Sequence, residues 1–238
     1  MGKRRFGING GGNMRRKVGH TFKVTGSVLA VCAALAGCPS SPPTGEVSDD
    51  GLQRVDISLF DELYVAPGVS LANYKRVMID PIEITFKKDW RKQHPDLSDR
   101  DFEVFRDELA RLLREKLVTE LAHGGYTLAE APDKDVLRLR PSIEKADFAG
   151  PEPAGDKQTL AYSDGEMTLR VQGFDGPSGA LIARAKDFEE DNETRILERA
   201  DRITAYYNAQ KMFTKWAEAL RSALDVAKVR AGARTPNQ

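Results

Sequence analysis

Apolar side chains recur along this chain with two distinct periods. Phe102, Phe105, Leu109, Leu112, Leu113, Leu117 and Leu121 fall at steps of three and four, the stripe of an amphipathic helix predicted over about 99–123. Ser98-Asp-Arg-Asp101 has the form of a capping box at its start, and Gly124-Gly125 stops it. Ile203, Tyr207, Phe213, Trp216, Leu220, Leu224 and Ala227 predict a second such helix over about 203–230. Elsewhere the period is two. Tyr74–Phe86 is β-rich, with Val77 and Ile79 in one phase and Ile82, Ile84 and Phe86 in the other. Asp80-Pro81 stands at the change, where a proline without a ladder donor predicts a bulge or break. A polar loop is expected over Lys87–Pro95. Tyr126–Glu130 and Val136–Phe148 read as strands, and Glu166–Phe174 meets Ala180–Phe188 across Asp175-Gly-Pro-Ser-Gly179, a hairpin signal. The order β-α-β-β-β-β-α predicts an α+β two-layer sandwich, a mostly antiparallel sheet of about five strands covered by two amphipathic helices.

Ahead of these elements lies a different pattern. Lys3, Arg4, Arg5, Arg15, Arg16, Lys17 and Lys23 precede Val24–Gly37, fourteen residues without a charge, and then comes Cys38. A membrane-spanning helix needs about 20 apolar residues, and a shorter run behind a basic region reads as an export signal. Leu35-Ala36-Gly37-Cys38 resembles the lipobox of bacterial lipoproteins, which implies acylation of the Cys38 thiol, cleavage before it and acylation of the new amino terminus. Pro39-Ser-Ser-Pro-Pro43 follows at once and cannot continue a helix. Two or three acyl chains hold a protein stably on a bilayer, where one does not. Met14 could serve as the start of a signal of ordinary length, as could Met1. The organisation expected is therefore a signal peptide over 1–37, a lipidated Cys and flexible linker over 38–58, a single domain over 59–231 and a disordered tail over 232–238.

Charge changes the picture once the signal is set aside. The chain has 36 Lys+Arg and 36 Asp+Glu, but the seven bases named above precede residue 38 and no acid does, leaving 29 bases against 36 acids. A body this acidic disfavours sequence-independent nucleic-acid binding. Cys32 leaves with the signal and Cys38 carries lipid, so no disulfide is expected.

Tyr74-Lys-Arg-Val-Met-Ile-Asp-Pro81, Val136-Leu-Arg-Leu-Arg140 and the closing helix with Trp216-Ala217 together resemble a family of bacterial lipoproteins known only as a domain of unknown function, over about 70–228. The resemblance implies an envelope lipoprotein and supplies no catalytic residue.

The chemistry expected is sparse. His94 and His123 have no metal-ligand spacing, so no metal is expected; His94 reads as solvated and His123 as a cation at the negative end of a helix. No nucleophile elbow, P-loop or nucleotide-binding glycine triplet is present in the mature part, and no cofactor is implied. Asp187, Glu189, Glu190 and Asp191 read as a solvated acidic turn rather than a calcium site, for want of EF-hand spacing. Trp90, flanked by Lys87, Lys88 and Arg91, is the candidate partner-binding residue if exposed, against a ring packed on the sheet edge with its lysines in water. Trp216 reads as core. The expectation is a non-enzymatic lipoprotein, held by its lipid on the outer membrane and facing the periplasm, since position 39 is Pro rather than an inner-membrane retention Asp. Its domain would bind an envelope protein or polymer. The alternative is a carrier or transport accessory holding a lipid or small apolar ligand.

Overall fold

The computed structural model describes residues 46–147, 160–162, 165–190, 197–199 and 202–232. In chain order these form β1 (Gln53–Arg54), β2 (Glu62–Val65), β3 (Arg76–Ile79), β4 (Glu83–Phe86), α1 (Trp90–Gln93), α2 (Asp99–His123), β5 (Thr127–Leu128), β6 (Val136–Asp147), β7 (Leu160–Tyr162), β8 (Glu166–Asp175), β9 (Leu181–Glu190), β10 (Leu197–Arg199) and α3 (Arg202–Gly232). The expected signal peptide over 1–37, the expected lipobox with Cys38 and the residues after Gly232 lie outside the described residues.

Among the described residues eight strands make one sheet in the order β1-β2-β9-β8-β6-β3-β5, with β4 also paired to β6. The α+β class is as expected, with more strands than five. Strand β6 is the seam: it runs antiparallel to β8 and parallel to both β3 and β4. A parallel pair needs a crossover, and α2 between β4 and β6 supplies it. The break expected at Asp80-Pro81 divides β3 from β4, which pair with successive stretches of one long strand. Strands β7 and β10 pair antiparallel as a separate ribbon.

Both long helices pack on one face of the sheet. Phe105, Leu109, Leu113, Leu117 and Leu121 of α2 share a continuous core with Phe213, Trp216, Leu220 and Leu224 of α3 and with Leu137, Leu139, Ile143, Met167, Leu169 and Val171 of the sheet. The two helices run parallel, since Phe105 meets Tyr206 near their starts and Glu120 meets Arg221 near their ends. Ser98 Oγ caps α2 by accepting from the Asp101 N–H at 3.1 Å. At its far end Gly125 takes a φ of 75° that glycine adopts without cost. In the β8–β9 turn, Gly176 has no room for a Cβ, which would stand 2.4 Å from the Asp133 carbonyl oxygen.

The ordered domain begins earlier than the expected boundary at 59. Leu52 is 2% exposed, Ser48 and Leu52 close a turn, and β1 pairs with β2, which in turn adds to the edge of β9. A two-residue strand has no periodicity to read; it exists because a distant edge accepts it.

Candidate functional site

The face of the sheet away from the helices is built by the residues that alternate with the core. Register places Arg140, Gln172, Arg184 and Tyr64 in one row across four strands, and Ser142, Arg170, Lys186 and Glu62 in the next. Arg138 stands opposite Phe174 in the row before. Five cations therefore share the centre of this face, two from the Leu-Arg-Leu-Arg alternation of β6 and three from the matching phase of β8 and β9. Arg140 lies 4.8 Å over the Phe174 ring and Arg184 5.0 Å over Tyr64.

Each cation meets an acid, but not equally. Arg170 pairs with Glu144 at 2.9 Å, Arg184 with Asp50 at 2.9 Å and Lys186 with Glu62 at 2.9 Å. Arg138 and Arg140 share one carboxylate: their Nε atoms donate to Asp80 Oδ1 at 2.7 Å and Oδ2 at 3.1 Å. The Asp80 side chain is 7% exposed beneath guanidinium side chains at 35% and 47%. Burial pushes the Asp80 carboxyl up, but hydrogen bonds and charge from the two arginines outweigh it and hold the carboxyl below its ordinary value. What the surface presents there is two cation edges over one sunken anion.

A second feature opens where β9 meets α3. Ser58, Leu59, Phe60 and Asp61, the end of β9 from Asp187 to Glu190, and Lys215 line an open cleft of about 560 Å³. Asp187 points into the helix-covered side, where the Trp216 indole N–H donates to its Oδ2 at 2.9 Å and the Asp61 backbone N–H to its Oδ1 at 3.0 Å. Asp61 returns the bond, its Oδ2 accepting from the Phe188 N–H at 2.9 Å. Burial raises the Asp187 carboxyl above its ordinary value, the two hydrogen bonds oppose this, and the charges of Asp61 and Glu189 add to it. Lys215 pairs with Glu189. Asp187 lies on the strand expected over Ala180–Phe188, Glu189 and Glu190 extend that strand where a solvated acidic turn was expected, and Asp191 lies outside the described residues. Among the described residues no group of three or more His, Cys, Asp and Glu is placed to hold a metal ion.

Trp90 is fully buried, which corrects the exposed partner-binding reading in favour of the packed ring. One turn of helix, α1, forms within the expected polar loop and turns the ring inward against Phe86 at 4.6 Å, Phe102 at 5.7 Å and Phe105 at 6.2 Å. His94, expected in solvent, stacks on the same indole at 4.1 Å. Lys87 bridges to Asp147 at 2.9 Å and to Glu166. Arg91 donates to the Leu97 carbonyl at 2.7 Å and to Asp99 at 2.6 Å, so both cations tie the loop to its surroundings. Lys88 is exposed. Trp216 is fully buried, as expected of core. The sequence reading passed over Asp80, Arg138 and Arg140 as a unit; Arg138 and Arg140 sharing the phase opposite Leu137 and Leu139 was the available signal.

Residues 42–220 match the family described as "Protein of unknown function (DUF3313)". No curated protein matches the sequence. Solved structures to which the chain is similar include a PelC dodecamer from Paraburkholderia phytofirmans, 13% identical over 67% of this chain and 96% of that one with a TM-score of 0.37. A minor lipoprotein from Acinetobacter baumannii is 12% identical over 69% and 98%, with a TM-score of 0.28. Rare lipoprotein B from Shewanella oneidensis is 13% identical over 64% and 99%, with a TM-score of 0.29.

Proposed function

We propose that this chain, which belongs to the DUF3313 family of proteins of unknown function, is a lipid-anchored lipoprotein of the bacterial envelope, held on the outer membrane with its domain in the periplasm. The domain binds an envelope partner rather than catalysing a reaction. The observation that carries the reading is Leu35-Ala36-Gly37-Cys38 behind a basic and then uncharged segment, and ahead of prolines. The titratable groups of the cleft support binding because they are committed to one another, Asp187 to Trp216 and Asp61, Lys215 to Glu189. The test is metabolic labelling of the full chain with radioactive palmitate, followed by membrane fractionation. Wild type takes up label and follows the outer membrane, whereas Cys38→Ser accumulates as unlabelled precursor. Label retained by Cys38→Ser would overturn the reading.

A further inference from the structure

We infer that residues 46–54 form a strap that takes up much of the tether and confines the domain to the neighbourhood of the membrane that carries its anchor. The inference rests on the lipid-anchor reading and sets a reach for it. By composition the linker runs over 38–58, and fully extended it would span about 72 Å. The fold shortens it. Glu46 to Arg54 turn back on themselves as a hairpin: the Gly51 N–H donates to the Ser48 carbonyl at 2.8 Å, the Ser48 N–H to the Leu52 carbonyl at 2.9 Å and the Arg54 N–H to the Glu46 carbonyl at 3.0 Å, with Val47 opposite Gln53. At the tip Gly51 takes a φ of 77°, which glycine adopts without strain.

The hairpin is pinned to the domain at several points. Its second strand is β1, which pairs with β2. Leu52 is 2% exposed yet stands outside the continuous core that the helices share with the sheet, so its burial secures the hairpin and not the helix packing. Asp50 reaches Arg184 of β9 at 2.9 Å, and Arg54 donates to the Asp61 carbonyl at 3.2 Å and faces Glu46 at 3.4 Å. With the strap seated, eight peptide steps lead from residue 38 to residue 46, at most about 29 Å whatever course they take. Without it the first remaining pin is Val55, whose N–H donates to the Leu63 carbonyl at 2.8 Å. The steps from 38 to 55 number seventeen and reach at most about 61 Å. A seated strap therefore keeps the domain concentrated beside its own membrane, which favours a partner carried by that membrane over one deeper in the compartment.

The experiment uses the lipidated full-length mature protein on phosphatidylcholine vesicles, with a donor dye on Ser58→Cys, an exposed position just past the strap, and an acceptor dye on the lipid headgroups. The sole native cysteine of the mature chain, Cys38, carries lipid. Two variants are compared with this parent. In the first, nine glycine and serine residues replace 46–54, which keeps the chain length and removes every pin. In the second, nine glycine and serine residues are inserted between Gly45 and Glu46, which lengthens the leash and leaves the strap whole. Both lead through seventeen steps to the first pin, and by square-root scaling the mean span of a coiled leash rises about 1.5-fold over eight steps. Energy transfer to the headgroups is expected to fall in both variants by the same amount. A fall in only one of them overturns the strap, because residues 46–54 would then not set the reach. Unchanged transfer in both overturns it as well, since another contact would hold the domain at the bilayer. A replacement variant that loses its cooperative melting transition makes the segment a part of the core, and overturns the strap too. Each of these outcomes leaves the anchor standing, whereas a parent protein that fails to float with the vesicles overturns both readings.

Discussion

On the helix-covered face of the sheet Met167, Leu169 and Val171 are sealed from solvent, while on the other face of the same strand Arg170 keeps 34% of its side chain exposed. Each face also holds one nearly buried aspartate, and the two are treated in opposite ways. Asp187 faces the helices and is held by neutral donors, the Trp216 indole and the Asp61 amide, so burial prevails and its carboxyl is pushed up. Asp80 faces outward and is held by two guanidiniums, which prevail over burial and push its carboxyl down. The lesson is that burial alone does not decide what a carboxylate does; the charge of its donors does. It also separates the two faces by role. One keeps its polar atoms for internal packing, and the other keeps cations at the rim of a structural pair.

The contrast can be broken most forcefully at Trp216. Trp216→Ala removes a fully buried ring and the donor to Asp187, and should cost about 3–5 kcal/mol in urea unfolding. A cost near zero would mean that the helix-covered face does not hold the fold. On the open face Asp80→Asn should cost about 1–3 kcal/mol, less than a fully buried pair because both arginines reach solvent. The Asp80 carboxyl titrates below its ordinary value in the folded chain, so its stabilisation is present above the unfolded value and fades as pH falls through the folded one. Urea midpoints of Asp80→Asn should therefore fall less steeply than wild type below about pH 4.

Asp187→Asn sharpens the comparison with the smallest effect, within about 1 kcal/mol at neutral pH. The single amide oxygen still accepts from Trp216, the Asp61 N–H at the rim of the cleft loses its acceptor, and no charge is left buried. Here the sign is reversed. The folded carboxyl titrates above its unfolded value, so its contribution is fully present below that value and is lost as pH rises through the folded one. The variant should gain on wild type from acid toward neutral pH, read as the difference between their urea midpoints. A difference that stays constant would mean that Asp187 titrates alike in the folded and unfolded chain, and a variant that instead loses on wild type over that range would place Asp187 in an environment like that of Asp80.

Much of this arrangement was legible from local pattern. Both long helices are written in steps of three and four, and α2 stops at Gly124-Gly125. The β8–β9 hairpin follows from Asp175-Gly-Pro-Ser-Gly179, and the two phases around Pro81 foretold the break between β3 and β4. What escaped depends on partners far along the chain. Strands β1 and β2 are short and lack alternation, and they form because the edge of β9 receives them. Trp90 sits among cations, a pattern that fits either an exposed anchor or a ring packed on the sheet edge, and one turn of helix settles it into an aromatic cluster. Asp187 stands among acids and reads as solvated. Strand alternation sends it to the opposite face from Phe188, and only the fold brings Trp216 to meet it.

The claim on which the envelope reading depends is the acylated Cys38. Mass spectrometry of the amino-terminal peptide from protein extracted out of bacterial membranes measures it directly. The account predicts a peptide that begins at residue 38 and carries acyl chains on the Cys38 thiol and on its amino group. A peptide that retains Gly37, or a Cys38 without acyl mass, would contradict it.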